Sequence, residues 1–169
     1  TYTLRNSGEL TIEYTATSDA DTLINPTNHV YLSLNGNNSA QNHTLWIDAD
    51  NHTEMVSQIP NGNISPVTER LDFTTARTMP VSSPNYDDNY ALNGDGYRKV
   101  ASLTGQTSII NVDVYTDRPG LQLYNTNSHI CLETQLYPDA INHENFASPI
   151  LRADDEFYSK TAYVFTKIA

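Results

Sequence analysis

The sequence has no run of about ten residues in which apolar side chains recur every three or four positions, the spacing of an amphipathic helix. Apolar and polar side chains instead alternate over short stretches, beginning with 2–4 and 10–14 around an Asn-Ser-Gly turn. The same alternation recurs at 44–49, 99–103, 108–115, 121–124, 130–136 and 162–168. Short strands at this spacing are typical of a sandwich. We therefore predict an all-β, antiparallel β-sandwich in a single domain over residues 1–169.

The segments between these strands are rich in residues that favour turns. The chain contains 18 Asn and 20 Thr, and clusters of Asn, Gly and Pro predict turns at 35–38, 60–63, 93–96 and 118–120. Residues 68–84 show no regular pattern, and we expect the Leu-Asp-Phe sequence at 71–73 to anchor this segment locally.

The charge of the chain excludes two classes of partner. Nine Lys and Arg stand against 20 Asp and Glu, for a formal net charge of -11. Nucleic acids and anionic membrane surfaces both select for clustered Lys and Arg, so we expect neither as a partner. No apolar run approaches the length of about 18 residues that a membrane span requires. The single cysteine, Cys131, excludes an internal disulfide.

The beginning of the chain, Thr1–Arg5, already alternates like a strand and has no initiator Met. We therefore expect this sequence to be part of a longer protein. Its sheet edges would then need a partner, either the upstream half or a self-association that substitutes for it.

Three predicted strands carry polar side chains on the face opposite their apolar one. In 28–34, Val30, Leu32 and Leu34 share one face, with His29 and Tyr31 on the other. In the same way, 121–124 presents Gln122 and Tyr124, and 131–136 presents Cys131, Glu133 and Gln135. If these faces adjoin, they form a polar, aromatic-edged hollow suited to a polyhydroxylated ligand. The alternation alone also fits, and by itself favours, a solvated sheet face.

Five stretches, in order along the chain, carry a more specific pattern: NPTNHVYLSLNG at 25–36, IPNGNI at 59–64 followed by LDF at 71–73, NYDDNYAL at 85–92, PGLQLY at 119–124, and CLETQ at 131–135 followed by PDA at 138–140 and Asn142. Together they resemble the motifs of the aldose 1-epimerases (galactose mutarotases). The resemblance covers essentially the whole chain and implies an incomplete galactose mutarotase-like supersandwich, corresponding to the C-terminal half of the family's domain.

The resemblance also implies a chemistry and the residues that perform it. It assigns the base to Glu133 and the acid to His29, which together open and close the ring of a free hexose such as galactose or glucose. Asp87 and Gln122 would bind sugar hydroxyls, and Tyr31 would pack beside the ring or position Glu133. Proton transfer of this kind needs no metal and no cofactor, so we expect neither. The resemblance implies that the protein is an enzyme located in the cytoplasm.

Two departures from the family pattern leave other readings open. Asp88 replaces the usual His, and Leu32-Ser33 replaces Phe-Asn. The first half of the family domain, which supplies an Arg and a second His, is absent from this sequence. The alternatives are therefore a non-catalytic carbohydrate-binding fragment or, with Asp87 and Glu133 as a carboxylate pair, a glycoside hydrolase. A sugar-phosphate epimerase is disfavoured because the Arg and Lys residues are dispersed.

Overall fold

A computed structural model of the chain describes residues 1–80 and 85–168, which form three antiparallel sheets. The strands are β1 (Tyr2–Leu4), β2 (Glu9–Thr17), β3 (Thr22–Leu23), β4 (His43–Ile47), β5 (Asn51–Val56), β6 (Ile59–Pro66), β7 (Arg77–Thr78), β8 (Asp87–Ala91), β9 (Arg98–Gly105), β10 (Ile110–Thr116), β11 (Gly120–Asn125), β12 (Ile130–Gln135), β13 (Ile150–Leu151) and β14 (Glu156–Lys167). Seven strands form one sheet in the order β1-β2-β14-β10-β9-β4-β7, and five form another in the order β12-β11-β8-β5-β6. Strands β3 and β13 pair separately.

The two larger sheets enclose the hydrophobic core. Val112 and Val114 of β10 and Leu103 of β9 are fully buried on one side, and Leu121 and Leu123 of β11 are fully buried on the other. These positions alternate with polar ones along each strand, which is why each sheet has one face in the core. The predicted all-β antiparallel architecture is therefore confirmed.

Two hydrogen bonds cross the core and join β14 of the larger sheet to β12 of the smaller one. The Tyr163 hydroxyl donates to the Leu132 carbonyl oxygen at 2.9 Å, and the hydroxyls of Thr134 and Thr161 lie 2.5 Å apart. All four residues are buried. Because buried polar groups are costly unless they are paired, these bonds fix the position of β12 against the larger sheet.

The predicted strand over 28–34 is wrong. This segment is extended but makes only a single bridge to the smaller sheet, in which Leu32 and Ile130 exchange backbone hydrogen bonds of 2.8 and 2.9 Å. A turn follows at once, so no further residues can pair. The predicted alternation still holds, since Leu32 and Leu34 are buried whereas His29 and Tyr31 are exposed.

The predicted turn at 60–63 is also wrong, because these residues lie within β6. Strand β6 is at the edge of its sheet, where Pro residues are tolerated and a bulge relaxes the pairing with β5. Gly62 adopts a φ of 91°, which a larger residue rarely takes.

The irregular segment after β6 has the predicted anchor. Leu71 and Phe73 are buried, and a short 3₁₀ turn spans Glu69–Leu71. The last part of the predicted irregular segment, residues 81–84, lies outside the described residues. None of the helical turns in 1–80 and 85–168 has the length and apolar character of a membrane span.

Candidate active site

Three neighbouring strands of the smaller sheet bring the predicted polar face together. The register pairs Glu133 of β12 with Gln122 of β11, and Gln122 with Asn89 of β8. Two residues further along β11, Tyr124 pairs with Asp87 of β8. Because directly paired residues share a face, these side chains lie on the face of the sheet opposite the core, where Asn89 is itself fully buried.

His29 reaches this surface from the extended segment that crosses the edge of β12. Its Nε2 atom lies 3.2 Å from Oε1 of Glu133. The His29 side chain is 45% exposed, whereas that of Glu133 is only 8% exposed. The imidazole therefore lies between solvent and a shielded carboxylate, within hydrogen-bonding distance of it.

Two tyrosine rings fix the orientation of the imidazole. Tyr31 stacks on His29 with ring centroids 4.8 Å apart, and Tyr124 meets it edge-on at 5.7 Å. Such aromatic contacts restrict rotation of the ring while leaving both of its nitrogen atoms free to bond.

A second polar pair lies beside the first. The Gln122 amide donates to a carboxylate oxygen of Asp87 at 2.8 Å. The Gln135 amide in turn donates to Gln122 at 3.4 Å and to Asn89 at 3.3 Å. Each of these side chains offers a neutral or anionic oxygen, the kind of acceptor that a sugar hydroxyl requires.

These groups line an open cavity of about 370 Å³. Four predicted site residues face it, while Tyr31 lies beside it against His29. Gln135, on the predicted polar face of β12, also lines the cavity, whereas the sequence did not indicate three further lining residues, namely Met55, Gln58 and Pro138. A separate cavity of about 430 Å³ has none of the predicted site residues in its lining.

Burial sets the acidity of the two groups on β12. Burial raises the pKa of Glu133 and Asp87 raises it further, while the nearby His29 acts in the opposite direction. Burial also raises the pKa of Cys131 to about 12, with a smaller contribution from Glu133. Glu133 is thus a stronger base than an exposed glutamate, and Cys131 remains a thiol at neutral pH.

One group of potential metal ligands occurs at this site. Among the described residues, ligand atoms of His29, Cys131 and Glu133 lie within 4.8 Å of one another. The His29 and Glu133 atoms already contact each other, and the Cys131 thiol holds its proton, so the group fits proton exchange better than ion coordination. The absence of a metal requirement stays a prediction.

The two facing sheets, with a polar cavity on the outer face of the smaller one, define a galactose mutarotase-like β-sandwich. The structures of an aldose epimerase homologue from C. elegans and a galactose 1-epimerase from Lactobacillus acidophilus superpose on it with TM-scores of 0.92 and 0.85, at 24% and 22% identity. Each match covers 99% of this chain, and 59% and 56% of the respective structures.

Residues 1–164 match the family model for aldose 1-epimerase, and the chain belongs to that family. The galactose mutarotase of Mus musculus is 30% identical to it, over 98% of this chain and 56% of the mouse protein. The chain therefore spans about half the length of the curated relatives it matches.

Proposed function

We propose that this chain carries the acid–base centre of an aldose 1-epimerase that interconverts the α and β anomers of a free hexose such as galactose. The contact between Glu133 and His29 at the edge of the polar cavity is the observation that supports it most strongly. It provides two groups of different proton affinity in one place, which is what ring opening requires.

In the proposed reaction, Glu133 takes the proton from the C1 hydroxyl and His29 gives a proton to the ring oxygen. The bond between C1 and the ring oxygen breaks, and C1 becomes an aldehyde. Rotation about the C1–C2 bond then presents the other face of the aldehyde. When the ring closes, both protons return and each residue recovers its starting state.

The remaining predicted residues would hold the sugar during these steps. The Asp87 carboxylate and the Gln122 amide, already in contact, would bond to ring hydroxyls. Tyr31 would hold the imidazole of His29 in place through its stacked ring. Gln135 is a further acceptor in the same wall of the cavity.

Polarimetry with freshly dissolved α-galactose tests this function. The chain should accelerate the decay of optical rotation, and Glu133→Gln should remove roughly 10²- to 10⁴-fold of the acceleration. Glu13→Gln is a matched control, because Glu13 lies in β2 of the other sheet and bonds to Tyr158. An equal rate for wild type and Glu133→Gln would contradict the proposal.

A carbohydrate-binding fragment without catalysis is the second candidate, and the length of the chain favours it. The chain matches only 56% of the mouse relative, so whatever the rest of that protein contributes to sugar chemistry has no counterpart in these residues. Calorimetry separates the two functions: galactose binding without any change in the decay of optical rotation would establish the fragment as a binding module.

We further propose that the exposed edge at β1 pairs with another chain, either the upstream half of the protein or a second copy. Tyr2 and Leu4 in this strand are 66% and 77% exposed, and strand edges with apolar side chains favour pairing. Light scattering should show self-association that Leu4→Lys reduces. A stable, dilute monomer of the wild type would contradict this.

The single-domain boundary and the cytoplasmic location stay predictions.

A further inference from the structure

An ion pair lies on the opposite side of β8 from the sugar-binding face. The Nη2 atom of Arg70 is 3.0 and 2.9 Å from the two carboxylate oxygens of Asp88. The Asp88 side chain is only 13% exposed, whereas that of Arg70 is 42% exposed. The pair is therefore partly shielded from water, which strengthens it relative to an ion pair on an open surface.

This ion pair is connected directly to Asp87. Successive side chains of a strand point to opposite faces, so Asp88 is directed away from the face on which Asp87 contacts Gln122. A carboxylate oxygen of Asp88 also accepts the backbone N–H of Asp87 at 3.2 Å. One carboxylate thus links Arg70 to the backbone that carries the Asp87 side chain.

Arg70 is itself held in place at several points. Its guanidinium carbon lies 5.0 Å from the centre of the Tyr86 ring, and its carbonyl oxygen accepts the Tyr86 hydroxyl at 3.0 Å. The backbone N–H of Tyr86 donates to the Asn125 side chain at 2.7 Å. The start of β8 is therefore fixed to the 3₁₀ turn on one side and to β11 on the other.

We propose that Arg70 and Asp88 are positioning residues that hold the Asp87 carboxylate against Gln122, ready to accept sugar hydroxyls. Asp87 and Asp88 are adjacent carboxylates, and Arg70 compensates the charge of Asp88 so that repulsion does not turn Asp87 away from the site. The role rests on the proposed function of Asp87 in sugar binding. It predicts an effect on affinity rather than on the proton-transfer steps.

A double-mutant cycle read out by galactose binding to the 169-residue chain tests this role. Asp88→Asn and Arg70→Gln should each raise the dissociation constant about three- to tenfold, the loss of a charge-assisted contact. The double variant should be no weaker than either single one, since both act through the same pair. Arg70→Lys, which keeps the charge, should recover part of the affinity. In turnover assays the KM should rise while kcat stays within about twofold.

The matched control is Asp21→Asn, which breaks the exposed ion pair between Asp21 and Arg152 and should leave galactose affinity unchanged. Unchanged affinity in Asp88→Asn, or additive losses in the double variant as expected if Arg70 touched the sugar itself, would overturn the proposal. If Asp88→Asn fails to fold, Arg70→Gln and Arg70→Lys give the same comparison from the more exposed partner. The prediction concerns galactose affinity and not the proton-transfer steps, so unchanged affinity in these variants, with a normal kcat, would overturn this inference while the proposed epimerase function stands.

Discussion

Glu133 and His29 come from distant parts of the chain, yet Oε1 of the first lies 3.2 Å from Nε2 of the second. Strand β12 holds the Glu133 carboxylate in an almost fully buried position. The bridge between Leu32 and Ile130 brings the segment that carries His29 across the edge of β12. The pair is thus a product of the sandwich rather than of local sequence.

Because the two groups exchange protons with the same sugar, their effects on rate should not add. Glu133→Gln and His29→Gln should each lower kcat by roughly 10²- to 10⁴-fold, and the double variant should be little slower than the slower single variant. Stopped-flow polarimetry with α-galactose measures all three rates. A double variant whose loss equals the product of the single losses would show that the residues act independently.

The burial that makes Glu133 a good base should also lower the stability of the fold at neutral pH. The pKa of Glu133 is raised above its ordinary value, so the folded state holds this proton more tightly than the unfolded state. The resulting stability is complete below the ordinary glutamate pKa of about 4.3 and is lost as the pH rises through the raised value. Glu133→Gln does not ionise and escapes this loss.

We therefore expect Glu133→Gln to unfold about 2 to 4 °C above wild type at pH 7, with the difference vanishing near pH 4. Thermal unfolding followed by circular dichroism across this range is the measurement. A lower Tm for Glu133→Gln at pH 7 would mean that attraction to His29 outweighs the cost of burial.

His43 should make the fold sensitive to acid in the opposite sense. Its Nε2 accepts the Leu34 N–H at 3.0 Å and its Nδ1 lies 3.0 Å from the Ala40 carbonyl oxygen, so the ring is neutral with its proton on Nδ1. Burial lowers the pKa of His43, partly opposed by its hydrogen bonds to backbone carbonyls. Stability from the neutral ring is present above the ordinary pKa of about 6.5 and is lost as the pH falls through the lowered value.

His43→Gln should lower the free energy of unfolding by about 1 to 3 kcal/mol at pH 7.5 and should reduce its decline between pH 7 and about pH 5. Urea unfolding at several pH values tests this. His52→Gln is the control, because His52 is only partly buried and its Nδ1 contacts the carbonyl oxygen of the adjacent Thr53. An equally steep decline in His43→Gln would rule out His43 as the source.

The ring of Tyr31, rather than its hydroxyl, should support the imidazole. Tyr31→Phe keeps the stacked ring 4.8 Å from His29 and should change kcat/KM by less than about twofold. Tyr31→Ala removes it and should lower kcat/KM about three- to tenfold. Tyr97→Ala, which breaks a stacked pair with Tyr115 elsewhere in the structure, is the control. A large loss in Tyr31→Phe would instead assign a role to the hydroxyl.

Gly120 leaves room for the polar network beside the site. An added Cβ would lie 2.9 Å from Cδ1 of Tyr137, 3.0 Å from the Asn89 side-chain oxygen and 3.1 Å from the Gln135 carbonyl oxygen. Gly120→Ala should therefore cost about 1 to 3 kcal/mol of stability and weaken galactose binding. In Gly36→Ala the added Cβ meets no atom within 4 Å, although the φ of 69° is unfavourable for Ala, so this change should cost less stability and leave binding unchanged. Equal affinity in the wild type and Gly120→Ala would contradict this role.

The alternation of side chains was sufficient to predict the faces of β11 and β12. Leu121 and Leu123 are buried in the core, while Gln122 and Glu133 face the cavity, as the period of two predicts. The same rule placed His29 correctly on the exposed side, although its segment is not a strand. Local pattern thus predicts which side a residue faces better than whether its backbone is paired.

Strands β5, β6 and β8 were missed because their sequences are largely polar. Asp87–Ala91 begins with two carboxylates and an amide, and Ile59–Pro66 contains two Pro residues and a Gly. These strands form because they pair with β11 and with each other, and this pairing outweighs the low strand propensity of their residues. Met55 and Gln58 join the site only through the β5–β6 hairpin, so no local signal could have indicated them.

Exchange between the two anomers, measured by NMR magnetisation transfer at equilibrium, is the sharpest test of the proposed acid–base pair, since it needs no coupled assay. We expect the exchange rate of galactose to rise in proportion to the concentration of the chain, with the anomer ratio unchanged, and to return close to the buffer rate in Glu133→Gln. A folded chain that binds galactose but leaves the exchange at the buffer rate would contradict it.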